Sequence, residues 1–250
     1  MTKTGAAEVR GADLRVRALY GRPDRQVSPQ RVNRLQLCKG LGALGDCHAS
    51  RYSPRQLLLA ATGTYDRLHL SENSLRETLL IDALNVRWES GSEIRIGSRV
   101  ILRVMFSCEA CSRLNAYKPG LMREVGVDRG LLTRVVRGGE IVCGDRVRLY
   151  KGVYPQFPAA WQERLCAVIA QLPRGSWITY LKLAELNGVH SSYCRVFPRV
   201  LGFAKFGSQN ASTVGVRRTA RGLLKPVTRS DTVAGGFWTG SQLFIDEFLH

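Results

Sequence analysis

The chain has 250 residues, of which 44% are hydrophobic and 8% are aromatic. This length and composition exclude a disordered chain and allow two domains of about 100 to 150 residues, each with its own apolar core. The formal charge of +17, from 37 Lys and Arg against 20 Asp and Glu, favours polyanionic partners such as nucleic acid, and also anionic cofactors that contain phosphate.

The sequence gives no sign of a membrane segment. No apolar run approaches the roughly 18 to 20 residues that span a bilayer, and the stretch MTKTGAAEVRGADLRVR lacks the apolar part of a signal peptide. We therefore expect a cytoplasmic protein without a membrane partner. In that reducing compartment most of the 7 cysteines should be free thiols.

Residues 14–153 consist of short β-type runs separated by Gly and polar turns. In chain order the runs are LRVRALY, RVNRLQLC, QLLLAA, LLIDAL, EIRIGSRVILRVMF, LLTRVV and EIVCGDRVRLY. They predict a first domain of mainly antiparallel strands, either a barrel or a sandwich. The final stretch, RGGEIVCGDRVRLY, is predicted to form a closing hairpin with turn residues at Gly138-Gly139 and Gly144-Asp145.

Residues 154–250 form the predicted second domain, which is small and mainly helical. A first helix in PAAWQERLCAVIAQL has one apolar face, formed by Trp161, Leu165, Val168, Ile169 and Leu172. A short helix in TYLKLAELNG ends at Gly188, a second helix begins at Ser191-Ser192, and the Gly-rich AGGFWTG follows. This order is typical of a helix-turn-helix domain with a wing.

The stretch MFSCEACSRLNAYKPGLM contains Cys108 and Cys111, followed by the cations Arg113 and Lys118. Three interpretations are open: half of a metal site, a redox pair, or one reactive thiolate beside a buried cysteine. Zinc needs four ligands; the further candidate ligands are Cys47, His48 and Cys143. A redox pair is less favoured because the segment lacks the strand-to-helix pattern of thioredoxin-like motifs. Neighbouring cations favour a thiolate, so we favour a single reactive Cys111 and a buried Cys108.

Four successive stretches, LGDCHASRYSPRQLLLA, LRETLLID, CEACSRLNAYKPGLM and GGEIVCGDRV, resemble the motifs of MOSC domains, which are named after the C-terminal part of molybdenum cofactor sulfurases. The resemblance covers about residues 16–151 and implies a β-rich barrel. It also implies that Cys111 is the functional cysteine. In some MOSC proteins this cysteine binds the metal of the molybdenum cofactor, and sulfur-carrier roles have been proposed for others.

The MOSC-like motifs contain further candidate residues. Asp46 and His48 of GDCH are predicted to orient a ligand or each other; the alternative is that Asp46 caps a turn and His48 is a satisfied polar residue. Guanidinium groups suit phosphate oxygens, and the cations predicted to hold a phosphate or a pterin pyrophosphate are Arg55, Arg76, Arg113 and Lys118. Taken singly, each of these cations has the alternative of a solvated surface charge.

Residues 157–202, together with KPVTRSDTVAGGFWTG, resemble the DNA-binding domain of alkylguanine-DNA alkyltransferases and their alkyltransferase-like relatives. The resemblance implies that Tyr180 presses on a DNA phosphate and that Arg195 or Arg199 takes the place of an extruded base. The family's alkyl-accepting cysteine is absent, because PVTR places Val227 at that position. We therefore expect no alkyl transfer.

Two further expectations concern the interior of this second domain. Pro198 falls inside the predicted recognition helix, where a proline costs about 3 kcal/mol or kinks the helix. Cys166 and Cys194 lie on predicted helices and are expected to be core residues.

The sequence supports three functions of different classes. The favoured one is an enzyme that uses the Cys111 thiolate for sulfur transfer, for carbon-sulfur bond chemistry, or for reduction of N-hydroxylated compounds at a molybdenum centre. Its cofactor is then molybdopterin, or none for sulfur chemistry, and its substrate is a small molecule or sulfur donor. The second is a non-catalytic DNA-binding protein that senses a damaged or alkylated base. The third is an adaptor that uses both domains for protein contacts.

Overall fold

The residues that the computed structural model describes are 13–203, 213–228 and 236–244. The chain divides into two compact units, Met1–Arg51 with Arg55–Phe157, and Tyr52–Pro54 with Pro158–His250. Residues 229–235 of KPVTRSDTVAGGFWTG, on which part of the alkyltransferase-like resemblance rests, lie outside the described residues. No helix in the described ranges is long and apolar enough to cross a membrane.

The first unit is built mainly from strands, as its β-type runs predict. The strands are β1 (Val16–Gly21), β2 (Gln30–Val32), β3 (Arg34–Cys38), β4 (Gly42–Ala43), β5 (Leu57–Ala61), β6 (Leu79–Ile81), β7 (Glu93–Ile96), β8 (Val100–Ser107), β9 (Leu131–Arg137), β10 (Gly139–Val142) and β11 (Val147–Tyr150). Eight of them form a sheet in the order β11-β7-β8-β9-β5-β6-β1-β2, and three form a sheet in the order β10-β3-β4. Neighbouring strands are antiparallel except β5 and β6, which are parallel.

The strands form two sheets, where the sequence left a barrel or a sandwich open. The larger sheet curls, because an antiparallel bridge between Arg15 and Arg146 joins the beginning of β1 to the beginning of β11. At this bridge Val16 N donates to Asp145 O at 2.9 Å and Val147 N donates to Leu14 O at 2.8 Å. The predicted closing hairpin is wrong, because β10 pairs with β3 and β11 pairs with β7. The turn at Gly144-Asp145 therefore connects two different sheets.

The larger sheet is buried on both faces at its centre. Leu57, Leu59 and Ala61 of β5 belong to one apolar core, whereas Ala60 packs on the opposite face. That opposite face is covered by helix α1 (Thr62–Leu68) and by the segment 108–130. Burial on both faces explains why QLLLAA is continuously apolar instead of alternating.

The segment 108–130 connects β8 to β9 and contains the predicted reactive cysteine. Its helices are a 3-10 helix (Ser112–Ala116), α2 (Leu121–Val125) and a second 3-10 helix (Gly126–Arg129). The backbone N–H of Cys108 donates to the carbonyl oxygen of Gly130 at 2.8 Å, which closes the connection at its base. Leu114 and Leu121 are fully buried and hold its helices against the sheet.

The second unit contains four helical segments and three strands within the described residues. They are α3 (Trp161–Ala170), β12 (Trp177–Thr179), α4 (Tyr180–Asn187), a 3-10 helix (Ser191–Arg195), α5 (Phe197–Val200), β13 (Thr213–Arg218) and β14 (Leu224–Thr228). The strands form an antiparallel sheet in the order β12-β13-β14. Assignment of this unit as a winged helix stays a prediction.

The interior of the second unit agrees in part with the predicted helical face. Leu165, Val168 and Ile169 are buried on α3, as predicted. Arg164 is also buried, and its Nε donates to the carbonyl oxygen of Asn187 at 2.9 Å. Helices α3 and α4 are therefore joined by a polar contact as well as by the apolar face.

The predicted recognition helix is not continuous. The 3-10 helix ends at Arg195, and α5 begins at Phe197. Pro198 lies in the first turn of α5, where a backbone N–H makes no hydrogen bond within the helix. Proline at this position therefore removes no helical hydrogen bond, and the predicted cost of an internal proline does not arise. The expectation that Cys166 is a core residue is also wrong, because it is exposed on α3.

Substitution of Gly130 tests how closely the 108–130 segment packs against the larger sheet. It has φ of +130°, and a Cβ at this position would overlap the carbonyl oxygen of Leu59 on β5. We expect Gly130→Ala to lower the free energy of unfolding by about 2 to 4 kcal/mol in urea titrations. The control Gly152→Ala has φ of +67° and open space, and should cost about 1 kcal/mol. Equal losses of unfolding free energy in the two variants would contradict the close approach of Gly130 to Leu59.

Candidate functional site

The GDCH motif forms a turn after β4 that is fixed to the end of β1. Asp46 Oδ2 accepts a hydrogen bond from Arg22 N at 3.0 Å, and Cys47 N donates to Arg22 O at 2.8 Å. The Asp46 side chain is only 4% exposed, whereas His48 is half-exposed. Asp46 therefore caps a turn, which was one of its two predicted roles.

The Asp46 carboxylate also orients His48. Its Oδ1 accepts from His48 N at 2.8 Å and lies 3.0 Å from His48 Nδ1. Burial alone would raise the pKa of Asp46, but the hydrogen bonds from the side chain and backbone of His48 outweigh it and hold that pKa below its ordinary value. The structure thus brings the two predicted residues together, with the carboxylate charged at neutral pH.

Three arginines converge beside this turn. Burial lowers the pKa of Arg22, and the positive charges of Arg76 and Arg113 lower it further, so both of these predicted residues lie near Arg22. Asp46 and Cys47 act on Arg22 in the opposite direction. The turn, the LRET motif and the segment after Cys111 therefore meet in a positively charged region, which we call the arginine cluster (Arg22, Arg76 and Arg113).

Arg22 was not predicted from the sequence. Its side chain is 7% exposed, and its Nε donates to the carbonyl oxygens of Asp24 at 3.1 Å and Val27 at 2.9 Å. The loop after β1 thus closes around this guanidinium, which is fixed as part of the structure. An arginine at the end of a strand has no motif of its own, so the sequence offered no signal for it.

The other predicted cations have different surroundings. Arg76 adopts φ of 59°, and its Nη1 donates to Tyr117 Oη at 2.8 Å, whereas Arg113 is exposed. Lys118 Nζ donates to the carbonyl oxygen of Leu68 at 3.2 Å and to Glu124 at 2.7 Å, so part of its charge is compensated. Arg55 is half-exposed, two residues before β5. The anion-binding role of these cations stays a prediction.

Cys111 lies at the start of the first 3-10 helix of the connection and is half-buried. Arg129 Nη1 donates to Cys111 Sγ at 3.4 Å and also to the carbonyl oxygen of Glu109. Arg129 is 8% exposed, and its Nε has no hydrogen-bond partner among the described residues. The Cys111 sulfur is therefore in contact with a poorly solvated cation, which donates to it.

Cys108 has the surroundings that were predicted for it. It is 2% exposed, and its Sγ lies 3.9 Å from the carbonyl oxygen of Glu109, which is a weak contact. Both Cys108 and Cys111 are free thiols. The cation that contacts Cys111 is Arg129, which follows it by 18 positions and was not singled out from the sequence.

Glu77, the neighbour of Arg76 in LRETLLID, is a second residue that sequence reasoning missed. It is 1% exposed; Tyr65 Oη donates to its Oε2 at 2.7 Å, and its Oε1 has no partner among the described residues. Burial raises the pKa of Glu77 to about 7. The sequence did contain a signal for Glu77, because an acidic residue directly precedes the apolar run TLLI.

The predicted DNA-binding residues of the second unit differ in accessibility. Tyr180 is 5% exposed, and burial raises its pKa to about 12. Its hydroxyl is therefore covered in this structure. Arg195 and Arg199 are exposed on the 3-10 helix and α5, and Val227 is buried on β14. The DNA-binding role stays a prediction.

No family model and no curated protein matches this chain. Among solved structures, the YuaD protein from Bacillus subtilis is 16% identical with a TM-score of 0.48, over 56% of this chain and 96% of that one. YiiM from Geobacillus stearothermophilus is 11% identical with a TM-score of 0.48, over 75% and 98% of the two chains. YiiM from Escherichia coli is 19% identical with a TM-score of 0.42, over 74% and 91%. TM-scores of 0.48, 0.48 and 0.42 do not establish a shared fold.

Glu77 predicts a pH dependence of stability. Its pKa is about 7 in the folded protein, above the ordinary value of 4.5, so the folded state binds this proton more tightly than the unfolded state. The stabilisation is complete below about pH 4.5 and is lost as the pH rises through 7, a change of about 2 to 3 kcal/mol.

We expect Glu77→Gln to remove this loss, as measured by urea unfolding from pH 4.5 to 8. The matched control is Glu140→Gln, because Glu140 is 47% exposed and pairs with Arg34 on the surface. The control should keep the wild-type pH profile. A Glu77→Gln protein that also keeps it would show that Glu77 is ionised throughout.

Proposed function

We propose that the first unit is a MOSC-like enzyme domain whose working group is the Cys111 thiolate. The observation that supports this best is the hydrogen bond of 3.4 Å from Arg129 Nη1 to Cys111 Sγ. The sulfur is half-exposed and lies beside a buried cation, which is the environment of reactive cysteines rather than of structural ones. The four MOSC-like motifs support the same residue independently.

The molybdenum cofactor fits the residues that surround this thiolate. A thiolate is a soft ligand suited to such a metal, and Arg76 and Arg113 of the arginine cluster suit phosphate oxygens. When bound, the cofactor supplies two-electron redox chemistry, which would reduce N-hydroxylated compounds. In this use, Arg129 would hold the sulfur, Arg76 and Arg113 would hold the anionic end of the cofactor, and Asp46 would orient His48 toward a ligand.

Sulfur transfer is the other use of the same thiolate. The Cys111 thiolate attacks the outer sulfur of a persulfide donor, the sulfur-sulfur bond of the donor breaks, and the donor leaves as a thiolate. Cys111 then holds a persulfide, which passes its outer sulfur to an acceptor. Arg129 assists by favouring the thiolate before attack. The arginine cluster favours the molybdenum cofactor over this use, because a small sulfur donor needs no phosphate site.

The second unit is assigned a role in recognition of substrate or DNA. Val227 lies where the resemblance has the alkyl acceptor, and an aliphatic side chain cannot accept an alkyl group. Its burial in β14, where it is 1% exposed, supports a packing role for this position. The exposed residues Arg195 and Arg199 are the candidate contacts with a polyanion.

The test compares the wild-type chain with Cys111→Ala and with the control Cys143→Ala, all produced in a host that makes the molybdenum cofactor. Cys143 is an exposed thiol, and its loss should change nothing. We expect molybdenum and pterin, measured by elemental analysis and absorbance, in the wild type and the control but not in Cys111→Ala.

Persulfide content, measured by cyanolysis on the same samples, separates the two uses. Absence of molybdenum together with a persulfide that requires Cys111 would assign sulfur transfer. If neither molybdenum nor persulfide depends on Cys111, the proposed function is wrong.

A further inference from the structure

Three atoms capable of binding a metal ion converge in the turn after β4. They are Asp46 Oδ1, Cys47 Sγ and His48 Nδ1, and all lie within 4.8 Å of one another. Among the described residues, this is the one group of three or more His, Cys, Asp or Glu side chains with such spacing. The distances to His48 Nδ1 are 3.0 Å from Asp46 Oδ1 and 3.4 Å from Cys47 Sγ.

The arrangement differs from a catalytic relay of nucleophile, base and acid. Such a relay uses both nitrogens of the histidine ring, one facing the nucleophile and the other facing the carboxylate. In this turn the same nitrogen, His48 Nδ1, faces both Cys47 and Asp46. The set therefore lacks the geometry of such a relay, whereas ligands of one metal ion do face a common point.

The spacing is close to that of a tetrahedral site. Ligands bound to zinc at about 2.0 to 2.3 Å lie about 3.2 to 3.8 Å from one another. The observed 3.0 and 3.4 Å are within a few tenths of an ångström of this range, and Asp46 Oδ1 and Cys47 Sγ lie within 4.8 Å of each other. Asp46 accepts from Arg22 N through Oδ2 and from His48 N through Oδ1, so the carboxylate is fixed in the turn. An ion would bind the second lone pair of Oδ1.

The charges of the ligands match a divalent cation. Metal binding displaces the thiol proton of Cys47, so this sulfur and the Asp46 carboxylate would together supply two negative charges that offset the ion. Arg22 and Arg25 lie near Cys47 and repel a metal cation. Binding of the ion in this turn therefore requires both anionic ligands. His48 has 43% of its side chain exposed, which gives the ion access from solvent.

We propose that Asp46, Cys47 and His48 form an open metal site for a divalent, zinc-type ion. One carboxylate oxygen, one thiolate and one imidazole nitrogen bind the ion, and the fourth position is left to water or to an anion attracted by the arginine cluster. The ligands do not include the Cys111 thiolate, but the site shares Asp46, His48 and the arginine cluster with the function proposed above.

The experiment titrates CoCl2 into the chelator-treated full-length protein and records its absorption spectrum. We expect one equivalent of Co2+ to give a near-ultraviolet band from the thiolate-cobalt bond, together with intense visible bands of tetrahedral cobalt, and ZnCl2 to displace both. Cys47→Ser should abolish the near-ultraviolet band. Since loss of an outer partner alone costs about 10- to 100-fold in metal affinity, His48→Asn should weaken binding by at least about tenfold.

Cys111→Ser and Cys143→Ser are the matched controls, because each removes a thiol outside the turn, and both should keep the full spectrum. Far-ultraviolet circular dichroism checks that all variants are folded. A thiolate band that survives in Cys47→Ser, or one that is lost in Cys111→Ser, would overturn the site. So would the absence of any thiolate band in the wild type.

Discussion

The candidate site depends on the closure of the segment between β8 and β9. The Cys108 N–H bond to Gly130 O joins the two ends of this segment, and Arg129 reaches across the base to Glu109 O and Cys111 Sγ. Gly130 in turn lies against Leu59, at the centre of the larger sheet. The position of the sulfur is therefore set by the most deeply buried part of the first unit, although the sulfur itself lies near the surface.

Beside the GDCH turn, positive charge accumulates and is only partly compensated. The positive charges of Arg22, Arg76 and Arg113 repel one another, and the negative charge of the Asp46 carboxylate offsets part of this repulsion. A protein keeps such a concentration of like charge most readily where an anion is bound. The net charge of +17 is thus not only a property of the outer surface. This arrangement, together with Arg129, is the physical basis for assigning anion and thiolate chemistry to the first unit.

Local patterns predicted the elements better than the pairing between them. The strand runs and the buried face of α3 follow from periodicity, because side chains of a strand or helix repeat at fixed spacing. The partners of β10 and β11 did not follow, since pairing is decided by strands more than 40 positions away, β3 and β7. The break at Val196 was missed because Pro198 was placed inside a helix rather than at its start.

In the candidate site, too, local motifs could be predicted and contacts between distant residues could not. Cys111, Asp46, His48, Arg76 and Arg113 were predicted from motifs, and the structure brings the last four together around Arg22. Arg129 could not be predicted, because its contact with Cys111 exists only when the 108–130 segment is closed. Glu77 was visible in the sequence as an acid beside an apolar run, but its burial and raised pKa depend on Tyr65 and on the covering helix α1.

The central claim is that Arg129 activates the Cys111 sulfur, and the most direct measurement is the rate of alkylation of Cys111 by iodoacetamide, followed by mass spectrometry. The contact is a charge-assisted hydrogen bond of roughly 1.5 kcal/mol or more, so Arg129→Met should slow alkylation by about tenfold. Arg129→Lys should retain much of the rate, and Arg123→Met, which removes an exposed arginine of α2, should retain all of it. Equal rates in the wild type and a folded Arg129→Met protein would contradict the claim.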